Sequence, residues 1–180
     1  MSKRKFFIAG AVVFATAVTI SGKIYLNQTS LPQWHGQPMP AFTMRTVDGH
    51  VLTNSDLLGR VVVLDFGSTW CPPCNELSKF LDGVNASSRQ NGLKVIWADM
   101  GEFVKEPVKK DLPKLKKPYT VTIENNKLAG SLGVQGMPTV FVLDRRGNVR
   151  DTLVGFDDFI TPWRINRDIS SLLAEPSAAD

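Results

Sequence analysis

Val61-Val62-Val63-Leu64-Asp65-Phe66-Gly67-Ser68-Thr69-Trp70-Cys71-Pro72-Pro73-Cys74-Asn75-Glu76-Leu77-Ser78-Lys79-Phe80-Leu81 is the stretch on which the fold turns. Val61 to Phe66 is an apolar run rich in β-branched residues, the pattern of a central strand covered on both faces. Asn75 to Leu81 reads as helix, part of a first long helix from about Pro72 to Arg89, with Gly92 beyond it. Cys71 and Cys74 are the only two cysteines among 180 residues, and they fall between that strand and the helix N-terminus. A dithiol in that position suits thiol–disulfide exchange.

Outward from this core, the remaining elements follow in a simple order. Phe42 to Thr53 alternates around Asp48-Gly49, a hairpin signal, and Ser55 to Gly59 fits a short helical turn. Leu93 to Ala98 is the next strand. Glu102 to Leu115 lies in a lysine-rich, proline-punctuated segment and reads as an exposed helical insertion. Its lysines, Lys105 to Lys117, suit a solvated face better than a docking patch. Leu128 to Leu132 is a helical turn. Thr139 to Leu143 and Val149 to Val154 pair as a hairpin across Arg145-Arg146-Gly147-Asn148, and Asp157 to Leu173 closes the chain as a helix. This order predicts an α/β fold with a central mixed sheet flanked by helices.

The net charge of +4 arises entirely from Lys3, Arg4, Lys5 and Lys23, since the chain from Ile24 onward carries 17 basic and 17 acidic residues. A neutral body gives no nucleic-acid surface. Met1 to Lys5 is a positive n-region, and Phe6 to Gly22 is an uncharged, largely apolar run of 17 residues. The pair reads as a signal anchor, with a cleaved signal peptide as the alternative because Ala15-Thr16-Ala17 resembles a cleavage site. The predicted organisation is an anchor or signal peptide over 1–23, a linker over 24–37, a globular domain over 38–175 and a tail over 176–180. Lys3, Arg4 and Lys5 held inside would place the domain outside the cytoplasm, in the periplasm or on the outer face of the cytoplasmic membrane.

The sequence resembles the thioredoxin superfamily, and more closely the TlpA/ResA/DsbE-like membrane-anchored thiol-disulfide reductases. The resemblance spans roughly Pro38 to Phe156. Phe66 to Cys74 is similar to the family pattern Phe-Trp-Ala-Thr-Trp-Cys-x-Pro-Cys. Gly136-Met137-Pro138-Thr139 resembles the loop that carries a cis-proline, and Phe141 to Gly147 resembles the hairpin after it. The resemblance implies a thioredoxin-like fold with an N-terminal β-hairpin and a helical insertion. It also places two acids near the dithiol. Asp65 stands where thioredoxin has a buried aspartate and TlpA-like members usually have asparagine. Asp99-Met100-Gly101-Glu102 matches a segment ending in a buried glutamate. Which of Asp65 and Glu102 accepts the proton is left open at this point.

Within that frame Cys71, at the helix N-terminus, is the expected attacking sulfur, and Cys74, one turn in, the expected resolving one. A purely structural disulfide is disfavoured because closing so small a loop removes little chain entropy. Zinc is disfavoured because only His35 and His50, remote surface-loop residues, remain as further ligands. Pro72 and Pro73 rigidify the turn and remove two N–H groups that would otherwise stabilise a thiolate. Trp70 is expected to shield the edge of the site. Met137, before a cis-Pro138, is expected to turn its backbone towards Cys71 and pair with extended substrate. The expected activity is extracytoplasmic reduction of disulfides in exported proteins, apocytochrome c among them. Electrons would come from a membrane thiol donor, with no organic cofactor, metal or nucleic acid involved. The alternatives are a disulfide-forming oxidase or isomerase on the same fold, or a copper-handling module. The last normally uses a wider cysteine spacing and a downstream histidine, which this chain lacks.

Overall fold

Alternation along the strand β3, Val61–Gly67, sets the layering of the molecule. Val62, Leu64 and Phe66 face one way and pack with Phe42, Met44, Leu132 and Phe141. Val61 and Val63 face the other and pack with Leu77, Leu81, Ile165 and Ile169. Successive side chains of a strand point to opposite faces, so Asp65 and Gly67 belong to the second face. All seven residues of β3 are buried, as the unbroken apolar run demands. Each fully buried leucine or phenylalanine contributes about 1.5–3 kcal/mol of apolar transfer free energy.

The computed structural model describes residues 31–101, 117–123 and 125–176. The expected anchor, the expected helical insertion with Glu102, and most of the C-terminal tail lie outside the described residues. Among the described residues no helix is long and apolar enough to cross a membrane.

The described strands are β1 (Thr43–Thr46), β2 (Val51–Thr53), β3, β4 (Leu93–Asp99), β5 (Thr120–Ile123), β6 (Thr139–Leu143) and β7 (Val149–Val154). They form one mixed sheet in the order β2-β1-β5-β4-β3-β6-β7. β3 runs parallel to β4 and antiparallel to β6, while β4 runs parallel to β5. The antiparallel β1–β2 pair is the expected hairpin, and β6–β7 is the second one. Helices α1 (Pro72–Ser88) and α3 (Ile160–Ala174) cover the face that carries Asp65, and α2 (Asn126–Leu132) covers the other. Past the end of α1, Gly92 takes φ +97°, a left-handed conformation that glycine adopts without a Cβ clash.

Two features go beyond the sequence reading. Strand β5 is only four residues long and half of them are threonine, so no apolar run announces it. It exists because its edges pair with β4 on one side and β1 on the other. Leu31 to Gln37, the end of the stretch read as linker, is docked onto the domain. The Trp34 indole donates to the Leu132 carbonyl at 2.8 Å, and the Gly36 and Val149 amides donate to the Val149 and Gln37 carbonyls at 2.7 and 2.8 Å.

Candidate active site

β3 ends at Gly67, and the chain turns at once into α1. The Cys71 amide donates to the Ser68 carbonyl at 3.2 Å, closing the turn. Cys71 is the N-cap of α1, in an extended conformation, with Pro72 and Pro73 as the first two helical residues. Proline suits these positions because its fixed φ is already helical and its missing N–H would have had no helical partner. The Cys74 amide donates to the Cys71 sulfur at 3.3 Å, and the Asn75 amide donates to the Cys71 carbonyl at 3.1 Å. The two cysteines are joined in a disulfide. Cys71 keeps 5% of its surface exposed and Cys74 1%.

Around this pair, Trp70 is 42% exposed beside the helix start. The Met137–Pro138 peptide is cis, as the motif implies. It lies at the same end of the sheet as the dithiol, because the next residue, Thr139, stands opposite Phe66 in the β3–β6 register. The Pro138 carbonyl accepts from the Gly155 amide at 2.7 Å, which pins this loop to the end of β7.

Asp65 sits beneath α1, opposite Trp97 on β4 and Val140 on β6. It is fully buried, and neither carboxyl oxygen has a hydrogen-bond partner among the described residues. Burial pushes its pKa up from 3.8 to about 8, against the opposing pull of the Lys117 charge. Lys117 belongs to the lysine run read as a solvated face, yet its side chain is largely covered. Its Nζ pairs with Asp82 of α1 at 3.1 Å and lies over the Tyr119 ring at 5.7 Å. The Tyr119 hydroxyl meets the Ser78 hydroxyl of α1 at 2.9 Å. Burial holds the Tyr119 phenol well above its ordinary pKa, so this group stays protonated at neutral pH. Between α1 and the approach to β5, the site therefore has a polar flank of Ser78, Asp82, Lys117 and Tyr119.

Gly67 decides how closely β3, β4 and α1 approach. A Cβ built there would stand 2.9 Å from the Trp97 indole nitrogen, 3.3 Å from the Cys74 Cβ and 3.5 Å from the Cys74 sulfur. Neither the indole of β4 nor the backbone-anchored Cys74 Cβ can yield cheaply. Gly67→Ala is expected to lower stability by about 1–3 kcal/mol. An unchanged urea midpoint, at unchanged slope, would show that the approach is looser than these distances imply.

Of the residues singled out from sequence, Asp65, Trp70, Cys71, Pro72, Pro73, Cys74, Met137 and Pro138 lie at one end of the sheet or just beneath it. Sequence alone does not mark Gly67, Ser78, Trp97, Lys117 or Tyr119. For Gly67 a signal exists, since it interrupts the family pattern where that pattern has tryptophan. The other four come together only through strand register and helix packing.

The Redoxin family matches residues 35–160. The chain is 32% identical over 158 residues to thiol:disulfide interchange protein DsbE of Pseudomonas fluorescens biotype C, covering 86% of this chain and 85% of that one. It is 28% identical over 121 residues to thiol-disulfide oxidoreductase ResA of Bacillus thuringiensis (strain Al Hakam), covering 67% and 69% of the two chains. A thiol:disulfide interchange protein of the thioredoxin family from Chlorobium tepidum TLS matches in structure with a TM-score of 0.63 and 26% identity, over 76% of this chain and 96% of that one.

Proposed function

The chain belongs to the Redoxin family, as a thiol-disulfide oxidoreductase of the TlpA/ResA/DsbE type in the thioredoxin superfamily, and we propose that it reduces disulfides of exported proteins outside the cytoplasm. Cys71 is the nucleophile and Cys74 the resolving thiol. In the reduced enzyme the Cys71 thiolate attacks one sulfur of a substrate disulfide and forms a mixed disulfide, releasing the first substrate sulfur as a thiolate. Cys74 gives its proton to the ionised fraction of Asp65, which grows as pH rises towards about 8, and its thiolate attacks the Cys71 sulfur. The Cys71–substrate bond breaks, the second substrate sulfur leaves as a thiolate that takes up a proton, and the enzyme is left with the Cys71–Cys74 disulfide. The substrate gains two electrons, which a membrane thiol donor restores to the enzyme. Trp70, Met137 and Pro138 form the surface that receives substrate, and apocytochrome c is one substrate class. Residues 6–22 serve as the anchor, 24–37 as the tether, whose residues 31–37 are docked on the domain, and 38–175 as the catalytic domain. Glu102 remains the second candidate for the proton-accepting role of Asp65.

The observation that carries the reductive direction is the start of α1. Pro72 and Pro73 occupy its first two positions, and the hydrogen bond to the Cys71 sulfur comes from the Cys74 amide at 3.3 Å. A disulfide becomes strongly oxidising when its reduced form is stabilised by donors to the thiolate. Here two of the nearest amides are absent. The Cys71–Cys74 couple is expected to have a potential of about −270 to −200 mV. Equilibration against glutathione measures it. A value near about −120 mV would overturn the reductive reading and favour a disulfide-forming oxidase.

A further inference from the structure

Trp97 is 4% exposed, and its indole N–H has no hydrogen-bond partner among the described residues. A buried donor left in that state is destabilising, so it calls for an explanation. Its position offers one. The indole nitrogen stands 2.9 Å, and the Cys74 sulfur 3.5 Å, from the place where a Gly67 Cβ would be. Both atoms therefore border the notch that the missing side chain leaves. Where the family pattern has its first tryptophan, this chain has Gly67, and an indole enters the same space from the neighbouring strand instead. A disulfide sulfur is a poor acceptor, whereas a thiolate is a strong, charged one. The Trp97 N–H thus gains a good acceptor at the moment Cys74 ionises.

We propose that Trp97 is a positioning residue for resolution: its indole N–H, admitted by Gly67, donates to the Cys74 sulfur as that sulfur becomes anionic in the mixed disulfide. The inference rests on Cys74 being the resolving thiol. Trp97 keeps its proton throughout. Cys74 loses its own to Asp65, the new S–S bond forms to Cys71, and the substrate sulfur departs with the electron pair. The other charged or titratable groups around this corner are Asp65 on β3, Asp99 at the end of β4, Asp82 on α1, and Lys117 and Tyr119 on the approach to β5. None of these besides Asp65 is given a proton-transfer role, and Lys117 is engaged by Asp82.

The test uses the full chain and a chromogenic aromatic disulfide, which reports attack by the first thiol and release by the second as two phases. Trp97→Phe retains an aromatic ring and removes the N–H. Its release phase is expected to slow about tenfold at neutral pH, with the apparent pKa of that phase raised by about one unit and the attack phase unchanged. In the wild-type protein, the Trp97 indole proton resonance is expected to move downfield on reduction and to titrate with the release phase. That second readout does not depend on how well the variant folds. An unaltered release profile in Trp97→Phe, or an indole resonance that ignores both redox state and pH, overturns the inference. Mass mapping of the trapped adduct separates the two readings. An adduct on Cys71 with unaltered release rejects the role of Trp97 alone. An adduct on Cys74 rejects the assignment of the two cysteines, and the role of Trp97 with it.

Discussion

Cys71→Ser is expected to lose disulfide-reductase turnover by on the order of 10³-fold or more while the fold persists. The sequence holds no third cysteine to substitute for it. The sulfur that remains, Cys74, is 1% exposed under the first turn of α1, where a substrate disulfide cannot align for attack. Cys74→Ser should behave differently. Its Cys71 still attacks, but nothing resolves the product, so mixed disulfides accumulate. The measurement is turnover of a disulfide-linked peptide with mass analysis of trapped species. Near-normal turnover in Cys71→Ser, or mixed disulfides that accumulate on Cys74, would defeat the assignment. The fold should survive either change, because a disulfide spanning so few residues constrains the unfolded chain little.

Asp65→Asn is expected to stabilise the oxidised protein at alkaline pH by as much as about 5–6 kcal/mol. The wild-type carboxyl is buried without a hydrogen-bond partner among the described residues, and its pKa is raised from 3.8 to about 8, by burial above all. Below about pH 4 the carboxyl is protonated both folded and unfolded, so it carries no ionisation cost. Between about pH 4 and pH 8 the unfolded chain ionises while the native state holds its proton, and stability falls by up to about 1.4 kcal/mol per pH unit. Above about pH 8 both states are ionised and the full cost is present. Asparagine removes the ionisation, so the advantage of the variant should grow across this window and vanish towards its acid end. Urea unfolding at several pH values measures it. A constant difference between variant and wild type would mean that Asp65 does not titrate as a buried acid. The same substitution should slow resolution by Cys74, since it removes the proposed proton acceptor.

Much of the fold is legible in one dimension because its signals are local. The β-branched run at Val61 to Phe66, the prolines after Cys71, the Asp48-Gly49 turn and the Arg145 to Asn148 turn each depend on neighbours within a few residues. Those neighbours dictate strand, helix start and hairpin. The CxxC spacing belongs to the same class, since one helical turn suffices to bring Cys71 and Cys74 together. Strand β5 escapes this logic. Thr120 to Ile123 becomes a strand by filling the gap between β1 and β4, so its hydrogen bonds are supplied by segments distant in sequence.

At the site, the dithiol, its place at a helix start, the two proline nitrogens that cannot donate to the thiolate and an acid two residues before Gly67 can all be read along the chain. What surrounds them depends on strand pairing and helix packing. Parallel pairing of β3 with β4 sets Trp97 against Asp65, 32 positions away in sequence. Packing of α1 over the approach to β5 turns Lys117 from a member of a charged run into the half-buried partner of Asp82. These neighbours are fixed by strand register and by which face of a helix is buried. Both are properties of the whole sheet, and no window of adjacent residues contains them.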